Sequence, residues 1–300
     1  MTVGRGAMSI GIGLPTRADA LPPDGLLDWA ARADAGPFVS VAVLDRVVFT
    51  SHEPLIVLAT VAAVTGRIRL LTSIVLAPTR ETTLLARQAA SLDSLSRGRL
   101  SLGVGIGIRP DDYAATGAVF ERRGRRLDEQ LPVLRRLWAG EPLDEAGGIG
   151  PIGVPPARPG GPELLIGGYV PAVARRIAAW GDGFMAPGGG DPAQMAELWR
   201  SIESAWDEAG RGGRPRWLGS SYVALGPRAD DQAADYIRSA YAFDPALAER
   251  RLRGIPTTPK ALREVLGRQA AMGVDEFVLR PCAPDPDLID RLADVVAGLA

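Results

Sequence analysis

The sequence predicts an α/β fold, a (β/α)8 TIM barrel, and three observations carry that expectation. Short apolar segments alternate with amphipathic helical ones from end to end. The apolar segments number eight, each followed by a helix, which is the count of a closed barrel. Residues 67–107 read as strand, crossover helix and strand, and two buried strands joined by a helix must run parallel with a right-handed crossover. An open, doubly wound sheet is the competing architecture, because strand order is not written in a sequence.

The first strand is expected at Ser9–Leu14, with a helix over Asp24–Ala35; Phe38–Leu44 and Pro54–Thr65 repeat the pair. Ile68–Leu76 is an apolar run with β-branched residues, short enough for a strand buried on both faces. Thr82–Leu95 then carries Leu84, Leu85, Gln88, Ala89, Leu92 and Leu95 at helical spacing, and Ser96-Arg97-Gly98 stops it. Leu100–Val104 is the fourth strand and Gly124–Ala139 the next helix. Glu163–Gly167 pairs with Pro171–Trp180, and Gly183–Ala186 with Pro192–Ala209. Trp217–Leu225 precedes two helices, Asp230–Ala242 and Pro259–Met272, and Glu276–Arg280 with Leu288–Leu299 closes the series.

Residues 140–162 interrupt the alternation with seven glycines and six prolines. Neither flank completes a fold alone, so one domain over residues 1–300 is expected, with this segment as a long loop. In a barrel it belongs on the face away from catalysis, unless it folds over the rim. A structure in which Glu163–Gly167 starts a separate sheet would contradict this.

Composition narrows the function classes. Three hundred residues, 46% hydrophobic and 23% charged, describe a soluble globule with ample core. A net charge of −1 gives no long-range field toward nucleic acid or an anionic membrane. Lys260 is the one lysine among 34 basic residues. That imbalance fits a GC-rich coding genome and leaves many guanidinium groups suited to phosphates. The single cysteine, Cys282, forms no internal disulfide, which agrees with a cytoplasmic location. No basic-then-apolar leader and no run of 18 apolar residues appears, so neither export nor membrane spanning is expected. One His and one Cys make no metal ligand set. There is no Gly-x-Ser-x-Gly elbow and no Gly-Lys phosphate loop.

Barrel enzymes place their sites at the C-terminal ends of the strands. Here those ends are Gly13–Thr16, Leu44-Asp45-Arg46, Thr72-Ser73-Ile74, Gly103–Gly107, Gly167-Gly168-Tyr169, Asp182-Gly183-Phe184 and Arg280. Glycines at 103, 105 and 107 leave one face of the fourth strand bare, open either to a flat aromatic ligand or to packing in a narrow barrel. They are no dinucleotide fingerprint, since Ile108 stands where a third glycine is needed and Pro110 follows. Gly167-Gly168 lies where a strand turns into the helix near Pro171, and free amides with the helix dipole form an anion site there. A simple turn is the alternative.

The motifs Thr65–Val75 (TGRIRLLTSIV), Ala86–Arg99 (ARQAASLDSLSRGR) and Leu102–Gly107 (LGVGIG) resemble the bacterial luciferase-like family of flavin-dependent oxidoreductases. Phe120–Arg123, Leu127–Trp138, Pro162–Gly168 and Gly181–Phe184 continue the likeness in the family's order along most of the chain. The resemblance implies a flavin-type cofactor, coenzyme F420 or FMN. F420 is favoured because the chain is compact, as the deazaflavin branch often is. It implies that Gly167 and Gly168 hold the cofactor phosphate, where Tyr169 replaces the family's usual small hydroxyl residue. Arg280, before Pro281, is placed to reach the same phosphate; a solvated or salt-bridged arginine is the alternative. Thr72, Ser73 and Ile74 match the strand beside the flavin ring, where some members carry a non-proline cis peptide. With Gly105 and Gly107 they would shape the ring slot.

Two departures bear on catalysis. Many relatives carry Asp-His at the second strand end, whereas this chain has Asp45-Arg46, and Arg46 cannot act as a general base. Its only histidine, His52, lies six residues on and either swings into the site or stays capped or solvated. Ile108 stands where some deazaflavin dehydrogenases have a glutamate; Asp111 and Asp112 are the nearest carboxylates, or start a helical turn. The expectation is an oxidoreductase moving hydride between the cofactor and a small organic substrate, with Asp45, Arg46 and His52 as candidate catalytic residues. An FMN monooxygenase acting through a flavin peroxide is the first alternative. A flavin-binding protein without turnover is the rival from another class. A homodimer is expected, because the helices at Pro54–Thr65 and Leu84–Leu95 are more apolar than packing on a barrel requires.

Overall fold

In the computed structural model, which describes residues 7–17, 21–144, 148–189, 191–283 and 285–299, eight strands form where the apolar segments lie. They are β1 (Ser9–Gly13), β2 (Ser40–Val43), β3 (Arg69–Leu76), β4 (Leu100–Gly105), β5 (Glu163–Gly167), β6 (Gly183–Met185), β7 (Arg216–Val223) and β8 (Glu276–Pro281). All pair in parallel in sequence order, and β8 returns to β1 to close the barrel. The closure excludes the open doubly wound sheet. β5 pairs with β4, Leu102 opposite Leu164, so it continues the one sheet.

The helices are α1 (Pro23–Ala35), α2 (Pro54–Val64), α3 (Thr82–Leu95), α4 (Pro110–Thr116), α5 (Arg123–Trp138), α6 (Ala172–Trp180), α7 (Pro192–Glu208), α8 (Ala229–Ala240), α9 (Pro245–Leu252), α10 (Pro259–Met272) and α11 (Leu288–Ala297). Their starts follow local chemistry. Glu53, Glu81, Asp191, Asp244 and Thr258 each accept hydrogen bonds from first-turn amides of the helix they precede. A proline often takes the first helical position, where a missing N–H costs nothing. The short α4 forms where Asp111 and Asp112 were read as able to start a helical turn, whereas α9 was not expected; both begin with this signature, at Arg109-Pro110-Asp111-Asp112 and Asp244-Pro245. At one or two turns each, they carry too few residues for a periodicity to show.

Strand alternation sorts side chains into layers inside the barrel. At the N-terminal end, Ser40, Arg69, Ser101, Glu163, Arg216 and Glu276 meet in one network. Arg69 Nη2 donates to Ser101 and Glu163, both at 2.8 Å, and Arg216 Nη1 reaches both Glu163 oxygens at 2.9 Å. Arg216 and Ser40 also donate to Glu276, which is fully buried. Two arginines thus face two glutamates across the floor, and Gly11 makes room there for Ser40 and Glu276. One step up, Ala42, Leu71, Leu165, Met185, Leu218 and Val278 form an apolar plug. The larger core lies outside the barrel, where Trp29, Phe38, Leu58, Leu134, Trp138 and Trp217 pack between strands and helices.

The 140–162 segment has no helix or strand among its described residues. Its later part is tied to the N-terminal end of the barrel, since Ala157 N–H donates to Asp93 (2.9 Å) and Arg158 Nη2 to the Leu100 carbonyl (3.1 Å). Among the described residues no helix is long and apolar enough to cross a membrane, and no cluster of three His, Cys, Asp or Glu could hold a metal.

The barrel is irregular in one place. Thr72 sits opposite Leu102 and Val75 opposite Val104, so β3 carries one residue more than β4 between these pairs. The bulge brings Ser73 and Ile74 to the top of the plug, and the Ser73–Ile74 peptide is cis.

Candidate active site

Two adjoining cavities open over the C-terminal ends of the strands, of about 310 Å3 and about 290 Å3. Leu44, Phe49, Ser73, Tyr222, Tyr236 and Arg280 line both, so they form the partition. The first cavity lies over β1, β2 and β8, with Leu14, Thr16, Gln232 and Cys282 in its wall. The second runs from Ser73 and Ile74 across Gly107 to the Gly167-Gly168 turn and the arginines beyond it.

The bulge organises the partition. Arg280, inward-facing on β8, donates from Nη2 to Ser73 Oγ at 2.6 Å. Tyr222 and Tyr236 pack with ring centroids 5.4 Å apart, and the Tyr222 hydroxyl meets that of Tyr241 at 3.2 Å. Burial raises the pKa of both Tyr222 and Tyr236, so at neutral pH they present O–H donors. Burial likewise pushes the Cys282 thiol up to about 12, which leaves it protonated and unreactive.

The β2 end is held rather than free. Asp45 is buried and its Oδ2 accepts from Leu76 N–H at 2.9 Å and Arg80 Nη2 at 3.0 Å. Burial raises its pKa, with Arg80 opposing the shift. Arg46 lies 3.3 Å from Asp112, shares the Ala240 carbonyl with Arg109, and stands over the Phe49 ring. Asp112 also accepts from the Val47 and Val48 amides, which fixes the loop after β2. Both Asp45 and Arg46 line the second cavity.

Several sequence expectations need correction. His52 is exposed and lines neither cavity, because the Arg17–Ser51 bridge and its amide bond to Thr16 (3.0 Å) hold that segment on the outer rim. Thr72 does not face a ligand either; it is buried and its hydroxyl donates to the Gly103 carbonyl at 2.8 Å. Gly105 lines neither cavity. A Cβ there would lie 2.0 Å from Ile74 Cδ1, and one at Gly103 would lie 2.1 Å from the Thr72 carbonyl oxygen. The bare face of the glycine ladder is therefore filled by the β3 bulge, and Ile74 presents itself to the cavity in its place. Ser73, Ile74, Gly107, Gly167, Gly168, Tyr169 and Arg280 do line the second cavity. The guanidinium of Arg280 bonds to Ser73, so it works at the partition; the arginine that touches the Gly167–Tyr169 segment is Arg251, whose Nη2 donates to the Tyr169 hydroxyl at 2.6 Å.

Sequence reasoning missed Arg123, Arg251 and the tyrosine group. Tertiary closure brings them to the site from the start of α5, from β7 and from the α8–α9 region; Arg123 ends the Phe120–Arg123 motif, but no motif marks Arg251 or the tyrosines. The Asp244-Pro245 cap would have located α9 but not the direction of Arg251.

The second cavity is cationic. Arg46, Arg109, Arg123, Arg176, Arg251 and Arg280 line it against Asp45 and Asp112. Arg46, Arg109 and Arg176 have carboxylate partners. Arg123, Arg251 and Arg280 have none among the described residues. The Nε atoms of Arg123 and Arg251 are buried without hydrogen-bond partners. Such groups are costly unless an anion completes them.

Comparison with known proteins gives the family and the fold. The chain matches the model of the family described as luciferase-like monooxygenase over residues 8–299. It is 36% identical over 192 residues to an uncharacterized protein of Mycobacterium tuberculosis (strain ATCC 25618 / H37Rv), covering 63% of this chain and 60% of that one. It is 31% identical over 220 residues to an F420-dependent glucose-6-phosphate dehydrogenase of Kribbella flavida, covering 68% of this chain and 65% of the relative. The chain thus spans about 60% of the length of the first curated relatives it matches. A solved F420-dependent secondary alcohol dehydrogenase, in complex with an F420-acetone adduct, superposes with a TM-score of 0.79 at 18% identity, covering 98% of this chain and 100% of that one.

Proposed function

Since the chain belongs to the luciferase-like monooxygenase family, we propose that it is an F420-dependent oxidoreductase acting on a small organic substrate. The observation that carries this reading is the pair of joined cavities meeting at Ser73, Tyr222, Tyr236 and Arg280. The second cavity suits a phosphate-bearing flavin-type cofactor, because unpartnered buried guanidinium atoms and the Gly167-Gly168 turn before α6 supply anion-binding groups. F420 carries a phosphodiester and an acidic tail, FMN one phosphate, and a wall with three arginines lacking carboxylates favours the more anionic cofactor. The F420-dependent relative supports the same choice.

When bound, the cofactor supplies hydride exchange at its central ring. The chain's own part is positional. Ser73 and Ile74 floor the ring slot with Gly107 beside it, and Arg280, held by Ser73, directs positive charge at the partition. Gly167, Gly168 and Tyr169 take the phosphate end. Tyr236 stands between the cavities as a neutral O–H donor toward a substrate oxygen. Asp45 and Arg46 keep the loop after β2 in place and close the wall against water.

The test is heat protection. Saturation at one hundred times Kd stabilises a protein by about 2.7 kcal/mol, a few degrees in Tm. F420 is expected to raise Tm at lower concentration than FMN. Protection by FMN with none by F420 would overturn the deazaflavin reading and favour the FMN monooxygenase.

A cytoplasmic homodimer completes the proposal. Ile56, Leu84 and Leu95 on α2 and α3 are 68%, 57% and 77% exposed, an apolar face suited to a twofold contact. Light scattering at micromolar protein is expected to give twice the 31.6 kDa chain mass. The double variant Leu84→Glu/Leu95→Glu should return the single-chain mass; a monomeric wild type would refute the dimer.

A further inference from the structure

Beyond these assignments, we propose that Arg251 is the principal cation for the cofactor phosphate and that Tyr169 positions it. The inference rests on the cofactor reading above and deepens it at one subsite. Tyr169 follows the Gly167-Gly168 turn and lines the second cavity. The Tyr169 hydroxyl accepts from Arg251 Nη2 at 2.6 Å, so the side chain after the turn recruits a guanidinium from α9.

The surroundings form a built site. Arg251 is 8% exposed, lines the second cavity, has no carboxylate partner among the described residues and keeps a buried Nε without an acceptor. Its Cζ stands 5.5 Å from the Tyr241 ring, which steadies a cation on one side. On the other side a Cβ at Gly189 would lie 2.7 Å from Nη1 and 3.0 Å from Cδ, so a side chain there would push the guanidinium aside. Gly189 also has a φ of +70°, which glycine adopts without strain. Gly168 brings backbone to the same cavity, and a Cβ on it would lie 2.8 Å from Val173 in the first turn of α6. The strand ends β5 and β6 and the helix α9 thus converge on one arginine whose open N–H groups need an anion. A phosphate beside the Gly167-Gly168 turn meets that need and gains a charge-assisted bond in a largely dry setting.

The experiment measures dissociation constants for wild type, Arg251→Met, Arg251→Lys and Tyr169→Phe by fluorescence titration. The probes are F420 and its phosphate-free deazaflavin fragment, with FMN and riboflavin as a second pair. Arg251→Met is expected to weaken the phosphorylated member about ten- to hundredfold and leave the phosphate-free one within twofold. Arg251→Lys should recover part of the loss, because it restores charge without the fork. Tyr169→Phe should weaken the phosphorylated probe several-fold while the protein keeps its Tm. Raising salt should weaken wild-type binding of the phosphorylated probe more than that of Arg251→Met. Equal losses for both members of a pair in Arg251→Met, or binding of all probes within twofold of wild type, would overturn the assignment of Arg251 alone. A wild type that binds none of the four probes would instead remove the cofactor reading itself.

Discussion

Arg216→Met is expected to destabilise the fold by about 3–5 kcal/mol, since it removes one partner of a buried ionic network. Arg216 serves both glutamates of the barrel floor. Without it, Glu163 keeps Arg69 and Ser101, but Glu276 keeps only the Ser40 hydroxyl and Arg69 at 4.0 Å. Glu276 has no exposure through which water could replace the lost bond. Adding Glu276→Gln should return part of the loss, because an uncharged amide needs no counter-ion, and the two changes should couple by about 0.5–3 kcal/mol. Urea unfolding at pH 7 measures both effects, and a single-variant loss below about 1 kcal/mol would show that the floor is solvated.

The same network predicts an acid response. Burial alone would raise the pKa of Glu163, but Arg69 and Arg216 outweigh it and hold the group below its ordinary 4.5. Its folded pKa therefore lies below its unfolded one. Its contribution is fully present above about pH 4.5 and is lost as pH falls through the depressed folded value. Arg216→Met weakens that depression, so the variant should lose less stability than wild type between pH 5 and acid, although it starts from a lower level.

The second large effect separates two glycines that look alike in sequence. Gly103→Ala should cost about 3 kcal/mol, the upper end of ordinary overpacking, because its Cβ would meet backbone, the Thr72 carbonyl, at 2.1 Å. Gly105→Ala meets the end of a side chain, Ile74 Cδ1, at 2.0 Å, and Ile74 can turn away. That change should cost about 1 kcal/mol, the lower end of the same range. The displaced Ile74 would then intrude on the second cavity, so Gly105→Ala should weaken cofactor binding while melting near wild type. Gly103→Ala should show the reverse, a lowered Tm with ligand affinity kept in the folded fraction. Thermal melts beside cofactor titrations distinguish the two, and identical behaviour of the pair would refute the bulge as the reason for the ladder.

Fold class and strand positions were legible because they follow from local periodicity and from the demand that parallel strands be covered on both faces. Every strand lies where an apolar run lies, and β5 matches its expected bounds, Glu163–Gly167. The short α9 escaped, and α4 was legible only as a turn at Asp111-Asp112, because a few residues cannot display a period. The region of the candidate site was legible too, since both cavities open at the strand ends, where a barrel places its chemistry. Roles within it were less so. His52, the single histidine, attracts a catalytic reading by its chemistry alone, yet one antiparallel bridge at Ser51 leaves it on the rim.

Local order along the chain, then, determines eight strands, the helices between them and the end of the barrel where the cavities open, because those depend on neighbours a few residues apart. Tertiary structure alone decides that an extra residue in β3 lifts Ser73 to Arg280, 207 positions away in sequence. It also decides that the glycine ladder yields to Ile74, and that Arg251 reaches Tyr169 across 82 positions. Such pairings depend on barrel closure and register, which sum over the whole ring of strands and leave no mark at any single residue.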